Sequence, residues 1–344
     1  MSTRSLYYFL LLFISISLPL SAQQSDADDS FDDGPYVFIR NDSLIEQRVM
    51  EGELVTTLLE AESLETHFPP APAVYTGVER IAALSDIHGQ YDLAVELLTA
   101  NGIIDKDQNW KFGKGHLVVV GDVFDRGPQV TETLWLLYRL EQQAASKGGR
   151  VQLLLGNHEY MVLYNDLRYL HPKYTSVSEL FGRGYDQLYG EDTVLGRWLR
   201  AKPTMIKIND ILFVHGGISA AFLEAVEFDI EAINDKMLES IGRTKAEMKP
   251  TDYYQTYFGI DGPVWYRGYF EDNLPESHIT ELLRAVSASH FVVGHCTERQ
   301  VVSMYNNKVL GVDSGIKRGS YGELLLILKG RFYRGMLDGE RVEF

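Results

Sequence analysis

Cysteine and basic residues are scarce in this chain of 344 residues. Cys296 is the only cysteine, so the chain cannot form an internal disulfide. Lysine and arginine number 32 against 48 aspartates and glutamates, for a formal net charge of −16 at pH 7. The sequence contains no cluster of basic residues to offset this charge, which opposes contact with a nucleic-acid backbone. We therefore expect no nucleic-acid partner.

Long apolar runs are missing after the N-terminus. Residues 6–20 are apolar, follow Arg4, and lead into the small residues Ser21 and Ala22. This stretch is short for a membrane span of about 20 residues, so a secretory signal peptide is favoured over a membrane anchor. We predict cleavage after Ala22 and a periplasmic or secreted protein without a membrane anchor. The loss of Arg4 takes the net charge from −16 to −17.

Composition predicts two regions after the signal peptide. The N-terminal extension, residues 23–75, begins with a polar segment and includes a hairpin pattern, formed by residues 36–39 and a partner after Asn41 and Asp42. A proline-rich stretch at 69–72 marks its end. The main domain is then predicted to span residues 76–344. Its polar and aromatic stretches at 161–200 and 220–257 predict helical insertions that cover the mouth of a site.

Five apolar runs in the main domain predict β-strands. Each is short and continuous, which is typical of strands covered on both faces, and glycine, aspartate or histidine follows within two residues. The runs span residues 81–84, 117–120, 151–155, 211–214 and 291–293. Helical patterns at 93–98 and 131–140 separate the first three. The fold class is therefore α/β (α+β), with polar groups at the carboxyl ends of strands, where ligands bind in open α/β sheets.

Three motifs follow the first three runs at nearly even intervals. They read Asp-Ile-His-Gly at 86–89, Gly-Asp-Val-Phe-Asp-Arg-Gly at 121–127 and Gly-Asn-His-Glu at 156–159. The intervals from Asp86 to Asp122 and from Asp122 to Asn157 are 36 and 35 residues. Each interval has room for one helical crossover between parallel strands. The motifs are therefore expected side by side at one edge of a sheet.

The oxygen and imidazole groups in these motifs predict two divalent metal ions. Such ligands suit Mn, Fe or Zn, and a carboxylate commonly bridges paired ions. The ligands predicted for the first ion are Asp86, His88 and Asp122. The ligands predicted for the second ion are Asp122, Asn157, His215 and His295. The alternative, that these residues cap helices at strand ends, explains one or two such positions but not the whole set.

Paired metals of this kind hydrolyse phosphate esters through a hydroxide that bridges the ions, without a covalent enzyme intermediate. His158 directly follows the ligand Asn157 and is predicted to donate a proton to the leaving group. Asp125 is predicted to orient His158, with a helix cap as the alternative role. Arg126, Arg267 and Asn157 are predicted to bind the substrate phosphate.

These residues resemble the pattern of the phosphoprotein phosphatase family of metallophosphatases. That pattern reads Gly-Asp-x-His-Gly, Gly-Asp-x-x-Asp-Arg-Gly, Gly-Asn-His-Glu, His-Gly-Gly, Arg-Gly and Gly-His, and the chain matches it across residues 85–295. Ser85 replaces the first glycine. The signal peptide, Gly-His-Cys-Thr at 294–297 and Val-Asp-Ser-Gly at 312–315 are similar to the bacterial, Shewanella-like branch.

The resemblance implies a central β-sandwich flanked by helices, with a dinuclear metal site at the carboxyl ends of its strands. It also implies hydrolysis of phosphomonoesters, with phosphorylated proteins or small phosphomonoesters as partners and a leaning toward phosphotyrosine. We expect a monomer, and the 30 glycines against 11 prolines are compatible with a cold-active chain.

Two other functions compete with this prediction. The first is hydrolysis of dinucleoside polyphosphates or other phosphodiesters. Related enzymes of that kind tend to lack the acid at position 125, so Asp125 favours monoester cleavage. The second is binding of metal or of a phosphorylated ligand without turnover. A binding protein has no need of the proton donor that His158 and Asp125 would form.

Overall fold

The computed structural model describes residues 31–41 and 43–344, and the predicted signal peptide lies outside this range. The strands are β1 (Asp33–Arg40), β2 (Ser43–Met50), β3 (Glu53–Leu59), β4 (Val74–Tyr75), β5 (Arg80–Leu84), β6 (His116–Val119), β7 (Arg150–Leu153), β8 (Met205–Ile208), β9 (Ile211–Val214), β10 (His290–Val293), β11 (Val302–Met304), β12 (Val309–Gly311), β13 (Leu324–Leu328), β14 (Arg331–Gly335) and β15 (Arg341–Glu343). The α-helices are α1 (Tyr91–Ala100), α2 (Val130–Ser146), α3 (Asn157–Leu163), α4 (Pro172–Phe181), α5 (Val194–Arg200), α6 (Ala220–Ala225), α7 (Ile230–Leu238), α8 (Lys245–Met248), α9 (Asp252–Phe258), α10 (Gly268–Glu271) and α11 (Glu276–Ala285).

Two six-stranded sheets form the centre of the molecule. The first sheet has the order β15-β14-β13-β5-β6-β7, and its strands β5, β6 and β7 run parallel. The second has the order β11-β12-β10-β9-β8-β4, with β9, β10 and β12 parallel. The five predicted strands therefore belong to two sheets rather than to one open sheet. Three lie in the first sheet and two in the second.

The alternation of side chains along β5 shows how the sheets are covered. Ile81 and Ala83 belong to an apolar cluster shared with Phe213 of β9 and Val292 of β10, so this face packs against the second sheet. Ala82 and Leu84 belong to the larger cluster that includes the apolar residues of α1 and α2. Both faces of β5 are thus buried, as its continuous apolar run predicts. The central β-sandwich flanked by helices is confirmed.

The N-terminal region forms its own antiparallel sheet, β1-β2-β3. The predicted hairpin is confirmed in β1 and β2, and β3 extends it. β1 attaches this sheet to the main body through Tyr36, whose hydroxyl donates to Asp33 at 2.6 Å and lies 3.2 Å from Oγ1 of Thr131 in α2. Tyr36 is fully buried, so the extension is packed onto the domain that carries the metal motifs.

Short helices occupy the two segments that were predicted as helical insertions. The first contains α4 and α5, and the second contains α6 to α9. At the C-terminus, β13 and β14 form a hairpin around Lys329 and Gly330, which have φ angles of 51° and 78°. In the part of the chain that the structure describes, no helix has the length and apolar character needed to cross a bilayer.

Candidate active site

The loops that follow β5 and β6 carry the two aspartates of the predicted metal site. Asp86 and Asp122 have positive φ angles of 53° and 60°, which non-glycine residues seldom adopt. The backbone N–H of His88 donates to the carbonyl oxygen of Asp122 at 3.0 Å. This hydrogen bond ties the two loops together, and the surrounding structure therefore maintains an uncommon backbone conformation at the site.

The second sheet brings its histidines to the same end of the sandwich. His215 follows β9 and His295 follows β10, and the two rings lie 5.0 Å apart. The backbone N–H of His295 donates to Oδ2 of Asp86 at 2.9 Å. A side chain at Gly294 would lie 2.0 Å from Oγ of Ser85, so only glycine permits this approach of the two sheets.

The carboxylate of Asp122 lies at the centre of the cluster. Its Oδ2 is 3.1 Å from Nε2 of His215, 3.7 Å from Nε2 of His88 and 3.9 Å from Nε2 of His158. Asn157 joins the group through Oδ1, which is 2.9 Å from Nε2 of His215. The structure therefore brings the predicted bridging carboxylate between residues assigned to the two ions.

The remaining predicted ligands also face this cluster. Oδ1 of Asp86 lies 3.6 Å from Nε2 of His88. Donor atoms of His88, Asp122 and His158 lie within 4.8 Å of one another, and so do those of Asp122, His215 and His295. His158 thus lies at ligand distance although it was predicted to be a proton donor. Its place beside the cluster follows from its position next to Asn157.

The hydrogen bonds of the histidines fit metal ligation. Nδ1 of His88 donates to the carbonyl oxygen of Phe124 at 2.6 Å, and Nδ1 of His215 donates to that of Val120 at 2.7 Å. This arrangement leaves Nε2 as the atom that faces the carboxylates. Among the described residues, the buried Nε2 atoms of His88 and His295 have no hydrogen-bond partner. Buried nitrogen atoms without a hydrogen-bond partner, next to carboxylates, are the ligands that a divalent cation requires.

The electrostatics of the cluster favour a bound cation. Burial lowers the pKa of His88 and of His295, which keeps both rings neutral and able to ligate. Burial also acts on His215, but the charges of Asp122 and Asp86 outweigh it and raise the pKa of His215 to about 9. The negative potential that attracts a proton to His215 would equally attract a metal ion.

His158 and Asp125 form a buried pair at the edge of the cluster. Nδ1 of His158 lies 2.6 Å from Oδ2 of Asp125, and Asp125 is fully buried. Burial alone would lower the pKa of His158, but the charges of Asp122 and Asp125 raise it above its ordinary value. Because Nδ1 is paired with Asp125, Nε2 is the atom that can exchange a proton with a substrate.

The two predicted phosphate-binding arginines lie on different sides of the site. Arg126 is exposed, and its guanidinium carbon is 5.0 Å from the ring centroid of Tyr169. Arg267 is half-buried, with Nη1 3.5 Å from the carbonyl oxygen of His295. Neither arginine has a salt-bridge partner among the described residues, so both guanidinium groups remain available to an anionic substrate.

Sequence reasoning missed the part that Glu159 plays in holding the site together. Its carboxylate accepts hydrogen bonds from the backbone N–H groups of Asp122, Val123, Phe124 and Gly156, at 2.7–3.2 Å. A single buried side chain thus joins the loops that carry Asp122 and Asn157. The available signal was its place in the motif, three residues after Gly156 at a helix start.

Asp313 and Lys317 are a second pair that sequence reasoning did not place at the site. Nζ of Lys317 lies 3.0 Å from Oδ2 of Asp313 and 3.5 Å from Oδ1 of Asp86. Burial and the nearby charge of Asp86 raise the pKa of Asp313 to about 7. Asp313 belongs to the Val-Asp-Ser-Gly stretch at 312–315, whose only signal was its similarity to the Shewanella-like branch.

Comparisons with known proteins agree with this geometry. A family model described as calcineurin-like phosphoesterase matches residues 79–296. Shewanella-like protein phosphatase 1 of Plasmodium berghei is 29% identical over 252 residues, which cover 69% of this chain and 67% of that protein. The crystal structure of a cold-active protein-tyrosine phosphatase from a psychrophile, Shewanella sp., has a TM-score of 0.87 and 41% identity, covering 91% of this chain and 99% of the other.

A shorter match relates to the competing function. A symmetrical bis(5'-nucleosyl)-tetraphosphatase of Chromobacterium violaceum is 30% identical over 194 residues. This match covers 53% of this chain and 60% of that protein. The matches to the Shewanella-like protein phosphatase and to the cold-active protein-tyrosine phosphatase each cover more of this chain.

Proposed function

The chain belongs to the calcineurin-like phosphoesterase family and is a metal-dependent phosphatase, and from this premise we propose that it hydrolyses phosphomonoesters on proteins, with phosphotyrosine as the preferred substrate. The observation that carries the hydrolysis of monoesters is the buried His158–Asp125 pair, 2.6 Å apart, beside the carboxylate cluster. A proton donor at this place serves an ester whose leaving oxygen must be protonated.

The metal content is part of the proposal. Two divalent ions, of Mn, Fe or Zn, would be held by the predicted ligands: Asp86, His88, Asp122, Asn157, His215 and His295. Divalent ions at such a site stabilise charge on phosphate oxygens and activate water at neutral pH. The convergence of Asp122 with both groups of histidines supports a shared carboxylate.

The chain's own residues have separate tasks in this proposal. The side chains of Arg126 and Arg267 hold phosphate oxygens through charge-assisted hydrogen bonds, together with Asn157. Asp125 accepts the Nδ1 hydrogen of His158 and stabilises the imidazolium. As the oxygen of a water molecule bonds to phosphorus and the bond between phosphorus and the leaving oxygen breaks, Nε2 of His158 transfers its proton to that leaving oxygen. Burial of the pair keeps its orientation constant during this transfer.

The choice of phosphotyrosine is supported by the 41% identity with the cold-active protein-tyrosine phosphatase over 91% of this chain. Hydrolysis of dinucleoside polyphosphates has weaker support, because the tetraphosphatase match covers only 53% of the chain.

A phosphatase assay tests the proposal directly. The mature protein, stripped of metal and reloaded with Mn, Fe or Zn in turn, is given peptides of one sequence that carry phosphotyrosine, phosphoserine or phosphothreonine. Diadenosine tetraphosphate is the competing substrate. We expect metal-dependent release of phosphate, with the highest kcat/KM on the phosphotyrosine peptide. A higher kcat/KM on the tetraphosphate would contradict the proposal.

We also propose that the protein is exported and monomeric, and that it is active in the cold. The signal-peptide pattern of residues 1–22 supports export, and the excess of 30 glycines over 11 prolines supports activity in the cold. Expression of the full chain in a bacterium, followed by fractionation and mass spectrometry, is expected to find a protein in the periplasm or the medium that begins at Gln23. Recovery of the uncleaved chain from the cytoplasm would contradict export.

Light scattering measures the oligomeric state, and an activity profile between about 5 and 40 °C measures the temperature optimum.

A further inference from the structure

Tyr169 is an exposed aromatic residue next to the proposed proton donor. It lies in the loop between α3 and α4, and 41% of its surface is exposed. Its ring centroid is 5.2 Å from that of His158, with an angle of 49° between the ring planes. The carbonyl oxygen of Tyr169 accepts the backbone N–H of Arg126 at 3.0 Å. The ring is thus placed between solvent and the proton donor.

Two guanidinium groups restrict the orientation of this ring. The guanidinium carbons of Arg126 and Arg168 lie 5.0 and 5.5 Å from its centroid, within cation–π distance. Arg168 is itself held by Asp166 through hydrogen bonds of 2.8 and 2.9 Å. The tyrosine ring therefore keeps a defined position at the mouth of the site, while 41% of the residue remains exposed.

The position of the leaving group in the site identifies what the ring of Tyr169 would contact. The leaving oxygen takes its proton from His158, so the leaving group lies on the side of the site where His158 and Tyr169 meet. Trp265 is another aromatic residue beside the cluster, but its ring is 5.5 Å from that of His295 instead. The aryl ring of a leaving phenolate can pack on Tyr169. The leaving oxygen of phosphoserine is attached to Cβ of the serine, so this substrate has no ring to place there.

We propose that Tyr169 is a specificity-determining residue that packs against the aromatic ring of an aryl phosphate, and so favours phosphotyrosine over phosphoserine. The inference rests on the proposed function, because it assigns a contact within the same site. Aromatic pairs gain energy beyond the area they bury when their rings stack with an offset or meet edge to face. The fixed ring of Tyr169 offers such a partner without the cost of ordering it on binding.

The test compares two peptides that differ only in carrying phosphotyrosine or phosphoserine. For Tyr169→Ala we expect the ratio of kcat/KM values, phosphotyrosine over phosphoserine, to fall by about tenfold. Tyr169→Phe retains the ring and is expected to keep the ratio within about twofold. Tyr333→Ala is a matched control, because it removes a partly buried ring from β14, two strands away from β5 in the first sheet.

The possible outcomes separate this inference from the proposed function. If Tyr169→Ala lowers kcat/KM for both peptides by the same factor, the ring only supports His158 and Arg126, and the inference is wrong. An unchanged ratio at full activity also overturns it, while the proposed function stands. A wild-type enzyme that releases no phosphate from either peptide overturns the proposed function and this inference together. If the aromatic ring causes the preference for phosphotyrosine, the ratio of kcat/KM values for Tyr169→Phe must equal that of the wild type. A ratio as low as that of Tyr169→Ala would overturn the inference.

Discussion

Nδ1 of His158 and Oδ2 of Asp125 lie 2.6 Å apart, although 33 residues separate them in the chain. Asp125 belongs to the loop after β6, and His158 lies in the first turn of α3 after β7. The parallel pairing of β6 with β7 brings these two segments to the same edge of the sheet. The proposed general acid is thereby assembled from two motifs that are distant in sequence.

Removal of the imidazole tests its proposed part in proton transfer. We expect His158→Ala to lower kcat by about 10²–10⁴-fold, because the leaving oxygen loses its proton donor. The loss should be larger with phosphoserine than with p-nitrophenyl phosphate, because an alkoxide needs the proton more than nitrophenolate does. Kinetics with both substrates and metal analysis of the purified variant are the measurements.

His67→Ala is the control for this variant, since His67 is exposed and lies outside the site. Unchanged kcat in His158→Ala would remove His158 from the mechanism. Loss of bound metal from this variant would instead indicate that His158 is a ligand, as its 3.9 Å distance from Oδ2 of Asp122 allows.

Replacement of the carboxylate of Asp125 tests how His158 is oriented. Asp125→Asn keeps the size of the side chain but removes the charge that stabilises the imidazolium, so we expect kcat to fall by about 10–100-fold. KM for p-nitrophenyl phosphate should change little, because Arg126 and Arg267 remain. Asp229→Asn makes the same exchange at an exposed helix N-cap, where asparagine caps equally well. A rise in KM at constant kcat would assign Asp125 to substrate binding.

The strand ends and the order of the motifs could be predicted because the sequence pattern there is local. Apolar runs that are buried on both faces stop where the chain must turn, and Asp86 and Asp122 stand at those stops. The C-terminal hairpin is also local, because Lys329 and Gly330 form a two-residue turn in which both φ angles are positive. These features depend on a few neighbouring residues, which the sequence displays directly.

The division of the strands between two sheets could not be predicted from the residues alone. β9 and β10 look like β5 in sequence, yet they pair with each other, and only long-range packing decides this. The strand β3 was not predicted because almost all its side chains are exposed. Tyr169 lies in a loop that follows no apolar run, so no local pattern indicated that it meets His158.

The hydrogen bonds of Glu159 predict that its carboxylate stabilises the fold. Glu159→Gln offers one acceptor oxygen instead of two, so at least two buried backbone N–H groups near Asp122 lose their partner. Each such loss costs about 1–3 kcal/mol, and for two losses we expect the free energy of unfolding to fall by about 2–6 kcal/mol. Urea denaturation of the purified protein measures this change.

Glu247→Gln is the matched control, because Glu247 accepts a backbone N–H in an exposed capping box. Its effect should stay below about 1 kcal/mol. If the two variants lose equal stability, the buried contacts of Glu159 do not have the weight assigned to them.

His116 predicts a dependence of stability on pH that is independent of the active site. This residue begins β6, is buried, and lies 5.2 Å from the ring of Tyr75 and opposite Arg150 of β7. Burial, reinforced by the charge of Arg150, lowers the pKa of His116 to about 4 in the folded protein, against about 6.5 in an unfolded chain. Between these values the unfolded chain binds a proton that the folded protein does not. The contribution of His116 to stability is therefore complete above pH 6.5 and is lost as the pH falls toward 4.

We expect His116→Gln to flatten the decline in the free energy of unfolding between pH 6.5 and 4, measured by urea denaturation at several pH values. The exposed His67→Gln should keep the slope of the wild type, and an equal slope in His116→Gln would show that His116 is not the group that titrates.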